Sequence, residues 1–249
     1  MKDKTEAYRF LSDLELYLNR KLPDYLSMSH QIPEIVKAAK EDPKQRHKVS
    51  SECAFLNYHV LPNLFNQVAR WPGMDEEKAR KSLLSEFYRN MREITSGTPA
   101  RSVRHPFGKG LGVRASNVMN QWRGQAKGGR LVQSCPDFAL RNPFPHKIVF
   151  EGKYFSKGNV GRAERELVTA LYEAFFYRGL SYVPETKTHP AWDYDYACLL
   201  TFDASEKGDF LEAWESLDTD VKKGFWEGAN IYVMILRGQE YTGEWKRRA

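Results

Sequence analysis

Cysteine is scarce in this 249-residue chain: Cys53, Cys135 and Cys198 stand far apart, and no Cys-x-x-Cys pair occurs. The odd number and wide spacing argue against a disulfide framework or a zinc site, and imply a reduced, cytoplasmic setting. Long apolar runs are missing too; none approaches the ~20 residues that span a bilayer, so no membrane partner is expected. The opening Met1-Lys2-Asp3-Lys4-Thr5-Glu6 leads into an amphipathic pattern and not into a signal-peptide core. Repeats and low-complexity linkers are absent, and the glycine-rich loop His105–Gly112 lacks the Gly-x-x-x-x-Gly-Lys-Ser/Thr order of a P-loop.

The most informative absence is that of acid. Between Thr95 and Pro136 there is no Asp or Glu, whereas Arg101, Arg104, Lys109, Arg114, Arg123, Lys127 and Arg130 supply seven positive charges. The chain carries +6 in total, so the remainder is close to neutral. A basic segment that is local in this way points to an anionic partner, nucleic acid foremost. Within it, residues 113–124 have the pattern of a short helix whose Asn117, Asn120, Gln121 and Arg123 are side chains that contact base edges or phosphates. Lys127-Gly128-Gly129-Arg130 then forms a basic loop in which bare glycines let backbone N–H groups approach phosphate.

What the rest of the chain contains is a series of helices followed by a sheet. Helices are expected over residues 6–22, closed by Pro23, over 31–40, over 51–70 with a kink at Pro62, and over 75–94 behind the acidic start Asp75-Glu76-Glu77. After residue 131 the expected order is strand, strand, strand, helix, strand, helix, strand. The helix runs from 156 or 159 to Arg178, with Arg162, Arg165, Glu166 and Thr169 on its polar face and Arg162 paired to Glu166. A strand over 194–202 turns Tyr194, Tyr196, Cys198, Leu200 and Phe202 to one face; a helix over 207–227 and a strand over 230–236 complete the set. The expectation is an α/β (mixed α+β) chain of one domain: a helical N-terminal part (1–94), the basic segment (95–130) and a core of mixed sheet flanked by helices (131–236).

Residues 134–155 carry the chemistry. Two apolar runs flank the turn Arg141-Asn142-Pro143-Phe144-Pro145-His146, and each run holds charge that a buried strand would not want: Asp137 at the start of one, Glu151 and Lys153 inside the other. Proline in the turn fixes φ and withholds a donor, so a β-hairpin centred near Phe144 is expected. Alternation then puts Glu151 and Lys153 on one face, with Asp137 opposite Glu151 and Cβ atoms about 5 Å apart. Two carboxylates so close repel unless a divalent cation sits between them, and oxygen ligation with open positions suits Mg²⁺.

Pro136-Asp137 followed by Glu151-Gly152-Lys153 resembles the active-site motif of the PD-(D/E)XK, or restriction-endonuclease-like, nuclease superfamily. The motif covers about 20 residues, and the element order extends the resemblance over 131–236. The resemblance implies a restriction-endonuclease-like core. It further implies a Mg²⁺-dependent endonuclease acting on double-stranded DNA, with Mn²⁺ as a substitute, of the type II restriction kind. Asp137, Glu151 and the Gly152 carbonyl would hold metal, Lys153 would orient water and steady charge on the phosphate, and Glu52 would be the extra acid from a helix before the sheet. Glu86 and Glu93 are its rivals. Homodimers and a separate methyltransferase are further implications. The family's Gln-x-x-x-Tyr element is missing after Lys153, which favours an endonuclease over the exonuclease-like branches. Two alternatives remain open: a non-catalytic nucleic-acid-binding protein using residues 101–130, and a different site built from His189, Asp193 and Asp195.

Overall fold

In the computed structural model, residues 4–28, 52, 55–85, 137–156, 159–179 and 194–237 are described. The expected helix 31–40 and the whole basic segment, from Arg101 to Arg130, lie outside them, as do Glu86, Glu93, His189 and Asp193. Among the described residues the architecture is mixed α/β, with helices covering both faces of a five-stranded sheet.

Helix α1 spans Lys4–Met28. Its Phe10, Leu11, Leu14, Leu18 and Leu22 recur at helical spacing and are buried. Pro23 does not close the helix as expected but lies inside it. The lost backbone hydrogen bond is offset because the following turn carries Tyr25 into the core, where its ring meets Phe55, His59 and Phe202. The described residues of the expected helix 51–70 are helical as far as Ala69, but not α-helical throughout. A π-helical stretch, Leu56–Val60, precedes helix α2, Leu61–Ala69, which has Pro62 in its first turn. A single widened turn absorbs the N–H that proline lacks.

Helix α3, Glu76–Ser82, starts as expected, with the Asp75 side chain accepting from the Lys78 amide at 2.8 Å. It stops far short of residue 94. Leu83–Ser85 turn extended and form strand β1, pairing antiparallel with β2, Phe138–Leu140. Ser82 makes the junction: its hydroxyl donates to the Lys78 carbonyl and accepts from the Phe144 amide, and its carbonyl accepts from Arg141. Strand pairing with a distant segment has overridden local helix propensity. The first strand of the sheet therefore comes from before the basic segment; the strand expected just after residue 131 lies outside the described residues.

Strand β3, Ile148–Phe155, pairs antiparallel with β2 in the register Phe138↔Phe150, Leu140↔Ile148, a hairpin centred on Phe144 as expected. Helix α4, Val160–Gly179, crosses to strand β4, Tyr196–Asp203, which lies parallel to β3. The chain then forms α5, Asp209–Glu215, and α6, Thr219–Glu227, instead of one helix over 207–227. Asp218 caps the second by accepting from the Asp220 amide at 2.8 Å. Strand β5, Ile231–Arg237, runs parallel to β4.

The sheet order is β1-β2-β3-β4-β5. Side-chain alternation divides it into two cores. Phe138, Phe150, Cys198, Leu200, Phe202 and Met234 face α1 and α2. Ala139, Val149, Phe155, Ala197, Leu199 and Ile235 face α4 and α5. Every residue of β4 is buried, as a strand flanked by parallel neighbours and covered on both sides must be. Tyr194 departs from the expected single face: it lies before β4 and packs into the α4 core, while Tyr196 packs on the α1 side. No helix among the described residues is long and apolar enough to cross a membrane.

Candidate active site

The hairpin register sets the geometry. One step beyond the Phe138↔Phe150 pair, Asp137 stands opposite Glu151. Both are buried, with 6% and 7% of their surface exposed. Lys153 follows two residues along β3 on the face covered by α4, where its ammonium bonds to Glu151 Oε1 and approaches Glu173 Oε2 at 2.9 Å. Asp137, Glu151 and Lys153 are thus gathered as the sequence implied. Among the described residues β2 starts at Phe138, so β3 has no strand partner on that flank beyond Phe150. The Gly152 N–H instead donates to Asp137 Oδ2 at 2.5 Å. In an extended residue N–H and C=O point to the same side, so the Gly152 carbonyl is directed to the flank occupied by Asp137.

Gly152 is required by close approach and not by its backbone angle. A Cβ there would lie 2.6 and 2.7 Å from the Leu56 methyl carbons and 3.0 Å from Asp137 Oδ2. The π-helical stretch therefore packs directly on the backbone between the acid and the lysine, as glycine in a strand permits.

Glu52, half-buried and helical, joins this group. Its carboxylate takes the backbone N–H of Tyr154 and feels the charges of Lys153, Glu173 and Glu166. Burial raises its pKa above the ordinary carboxylate value, against the opposing pull of Lys153 and of that N–H. Glu151 is pushed well above its ordinary value, by burial first and by Asp137 second. For Lys153, burial works downward, but Glu151, Glu173 and Asp137 together override it and hold the ammonium above its usual range.

Glu173 went unread in the sequence. The signal was present: Arg162, Glu166 and Thr169 define a row on α4, and one more turn of that row ends on Glu173. Arg162 pairs with Glu166 at 2.9 Å as expected, on the exposed part of the helix. Thr201, beside Lys153 in the β3/β4 register, is also buried here, and its hydroxyl has no hydrogen-bond partner among the described residues.

Four carboxylates, Asp137, Glu151, Glu173 and Glu52, thus surround one ammonium. If all ionise, three negative charges are left uncompensated by Lys153 among the described residues, in a site of low dielectric. Glu151 Oε2 is buried with no hydrogen-bond partner among the described residues, a costly state for a carboxylate oxygen. No group of three or more His, Cys, Asp or Glu among the described residues has the arrangement of a formed metal centre. The acids are arrayed around Lys153 and not around a common point. Mg²⁺ asks for less than three: one or two carboxylates, completed by water and phosphate oxygens. The orphaned Glu151 oxygen beside Asp137 fits that requirement.

Of the rival cluster only Asp195 is described. It precedes β4, its amide bonded to the Lys147 carbonyl. It lies four residues, about 13 Å, along the strand from Leu199, the neighbour of Glu151. Compared with known proteins, the chain matches no family model, no curated protein and no solved structure.

Proposed function

We propose that this chain is a Mg²⁺-dependent endonuclease with a restriction-endonuclease-like core, hydrolysing phosphodiester bonds in double-stranded DNA in the manner of a type II restriction enzyme. The observation that carries this reading is the buried triad of the hairpin. Asp137 stands against Glu151, one Glu151 oxygen is unspent, and Lys153 is on the same strand face. The three-layer arrangement and mixed sheet are compatible with it. The connectivity of β1 and β2 supports it too. Ser85, where β1 ends, pairs with Phe138, so the chain leaves the sheet and returns to it at the flank where Asp137 stands.

Asp137, Glu151 and the Gly152 carbonyl would hold the divalent cation, with Glu52 the extra acid beside them. Bound there, the cation supplies Lewis acidity toward a phosphate oxygen and lowers the pKa of water. Lys153 lies on the same strand face, bonded to Glu151. It orients the nucleophile and stabilises charge growing on the phosphate. Glu52, close enough to feel the charge of Lys153, would add a further ligand or a base. The acid-free segment 95–130 would seat the DNA backbone and read bases. A second copy of the chain and a separate methyltransferase are the partners such an enzyme calls for.

The test is incubation of the purified chain with mixed plasmid and genomic DNA, in Mg²⁺ or in EDTA, beside Lys153→Ala. Discrete fragments that require Mg²⁺ and vanish in the variant are the expected result. DNA that is shifted on a gel but never cut, across several metals and DNA sources, would leave a binding protein without catalysis. Cleavage that survives Lys153→Ala would remove the hairpin from the chemistry.

A further inference from the structure

Lys153 stands between two acids that hold it differently. Its ammonium is hydrogen-bonded to Glu151 Oε1. It also stands 2.9 Å from Glu173 Oε2, an ion pair at charge-assisted hydrogen-bond distance though less well aligned than the bond to Glu151. Glu173 is therefore a second acceptor already within reach of the ammonium, in place before any contact with Glu151 is given up. Glu151, in contrast, has one oxygen committed to Lys153 and the other buried without a hydrogen-bond partner among the described residues.

A divalent cation seated on Asp137 and Glu151 would face the ammonium across a single carboxylate, and two positive charges in so small a space repel. The lysine stem has four rotatable carbons, so its head can leave Glu151 without any movement of β3. Glu173 cannot follow as freely. It is borne by α4, which is anchored on the sheet by the buried Ala163, Leu167, Ala170 and Ala174. It therefore offers a stationary acceptor on the far side of the lysine.

We propose that Glu173 is a positioning residue that takes Lys153 over from Glu151 when a divalent cation binds. Lys153 is then the counter-ion of the metal-free site, and Glu173 is where it is held in the metal-bound one. The inference rests on reading Asp137 and Glu151 as a metal centre. It assigns Glu173 no bond to the ion; its effect passes entirely through Lys153.

The experiment measures Mn²⁺ binding to the full chain, by calorimetry and by the electron-spin signal of free Mn²⁺, without DNA. The proteins are the wild type, Glu173→Gln, Glu173→Asp, Lys153→Gln and the double variant Glu173→Gln/Lys153→Gln. Glu173→Gln should weaken Mn²⁺ binding about tenfold, a coupling usual between residues that touch, because Lys153 is left with Glu151 alone. Glu173→Asp, which keeps the charge, should recover most of the affinity. With Lys153 already replaced, Glu173→Gln should have no further effect. Metal-free melting curves report folding, and if Glu173→Gln melts early the same cycle is completed with Glu173→Ala. Unchanged affinity in Glu173→Gln overturns the proposal. An equal loss with and without Lys153 also overturns it, since Glu173 would then act on the ion directly. A wild type that binds no Mn²⁺ overturns the metal centre itself, a failure distinct from the other two.

Discussion

Replacing Gly152 by alanine tests both the packing and the chemistry of the site. The added methyl would lie 2.6 and 2.7 Å from two carbons of Leu56, whereas touching carbon atoms settle at about 3.5–4.0 Å. Leu56 must therefore retreat by about 1 Å, yet it is wholly buried in the core beneath the sheet. Overpacking of this kind costs about 1–3 kcal/mol. For a chain of this size that is a fall of about 2–12 °C in Tm. The methyl would also stand 3.0 Å from Asp137 Oδ2, the oxygen that accepts the Gly152 amide, so divalent-cation binding should weaken as well.

The two consequences separate in a double-mutant cycle. Leu56→Ala alone leaves a cavity costing about 2–5 kcal/mol. In that background the terminal carbons that Gly152→Ala strikes are gone, and the glycine substitution should cost under about 0.5 kcal/mol in urea unfolding. Cation binding should remain impaired in the double variant, because Asp137 is still crowded. Additive stabilities would refute the clash with Leu56. Restoration of binding by Leu56→Ala would refute the crowding of Asp137.

Two further outcomes concern pH. His59 is buried, donates through Nε2 to the Leu18 carbonyl at 3.1 Å, and has its pKa lowered by that burial to about 4. Between the unfolded value near 6.5 and that figure the unfolded chain binds more protons, so stability is full above pH 6.5 and falls by about 3 kcal/mol as pH drops toward 4. Urea unfolding at both ends of the window should show this fall, and His59→Gln should flatten it; an equal fall in the variant would shift the cause elsewhere. Glu151 behaves in the opposite sense. Its folded pKa is raised, so its protonated form stabilises the metal-free protein below the ordinary carboxylate pKa, and this is lost as pH rises through the folded value. Melting in EDTA should find Glu151→Gln gaining on the wild type as pH rises from about 4.5; a difference independent of pH would mean that Glu151 is not under strain.

The parts of the site that could be read in the sequence are those governed by short-range periodicity. A proline-rich turn centred on Phe144 and a side-chain period of two suffice to set Asp137 against Glu151, and charge inside apolar runs marks the residues as out of place. Helix α4 was equally legible from its stripe of alanine and leucine. What went unread depends on partners distant in the chain. β1 is three residues long and is a strand only because β2 lies beside it. α1 continues through Pro23 because Tyr25 finds Phe55 and Phe202. Gly152 looks like an ordinary motif spacer until Leu56 is packed upon it. Glu173 belongs to a row that could have been extended, but its value lies in Lys153, which only the docking of α4 on β3 reveals.

The unexpected place of β1 changes how the basic segment relates to the site. Residues 86–136 are spliced between two strands that are direct neighbours, and the splice lies at Ser85 and Asp137. Loop-closure entropy rises only slowly with length, by about 0.6 kcal/mol per doubling, so the β1/β2 pairing places little demand on how long this excursion is. Exchanging residues 95–130 for a short glycine-serine linker should therefore leave the melting temperature within a few degrees and Mn²⁺ binding intact. DNA affinity and its steep dependence on salt should disappear together, since every phosphate the protein ceases to neutralise takes about 0.9 from the slope of log K against log salt. The full chain and the shortened one, titrated with duplex DNA at several salt concentrations, decide the matter. An unchanged salt slope would mean that the DNA is held elsewhere, and that the absence of acid between Thr95 and Pro136 serves some other end. A collapse of the fold would mean that the excursion is part of the core and not an attachment to it.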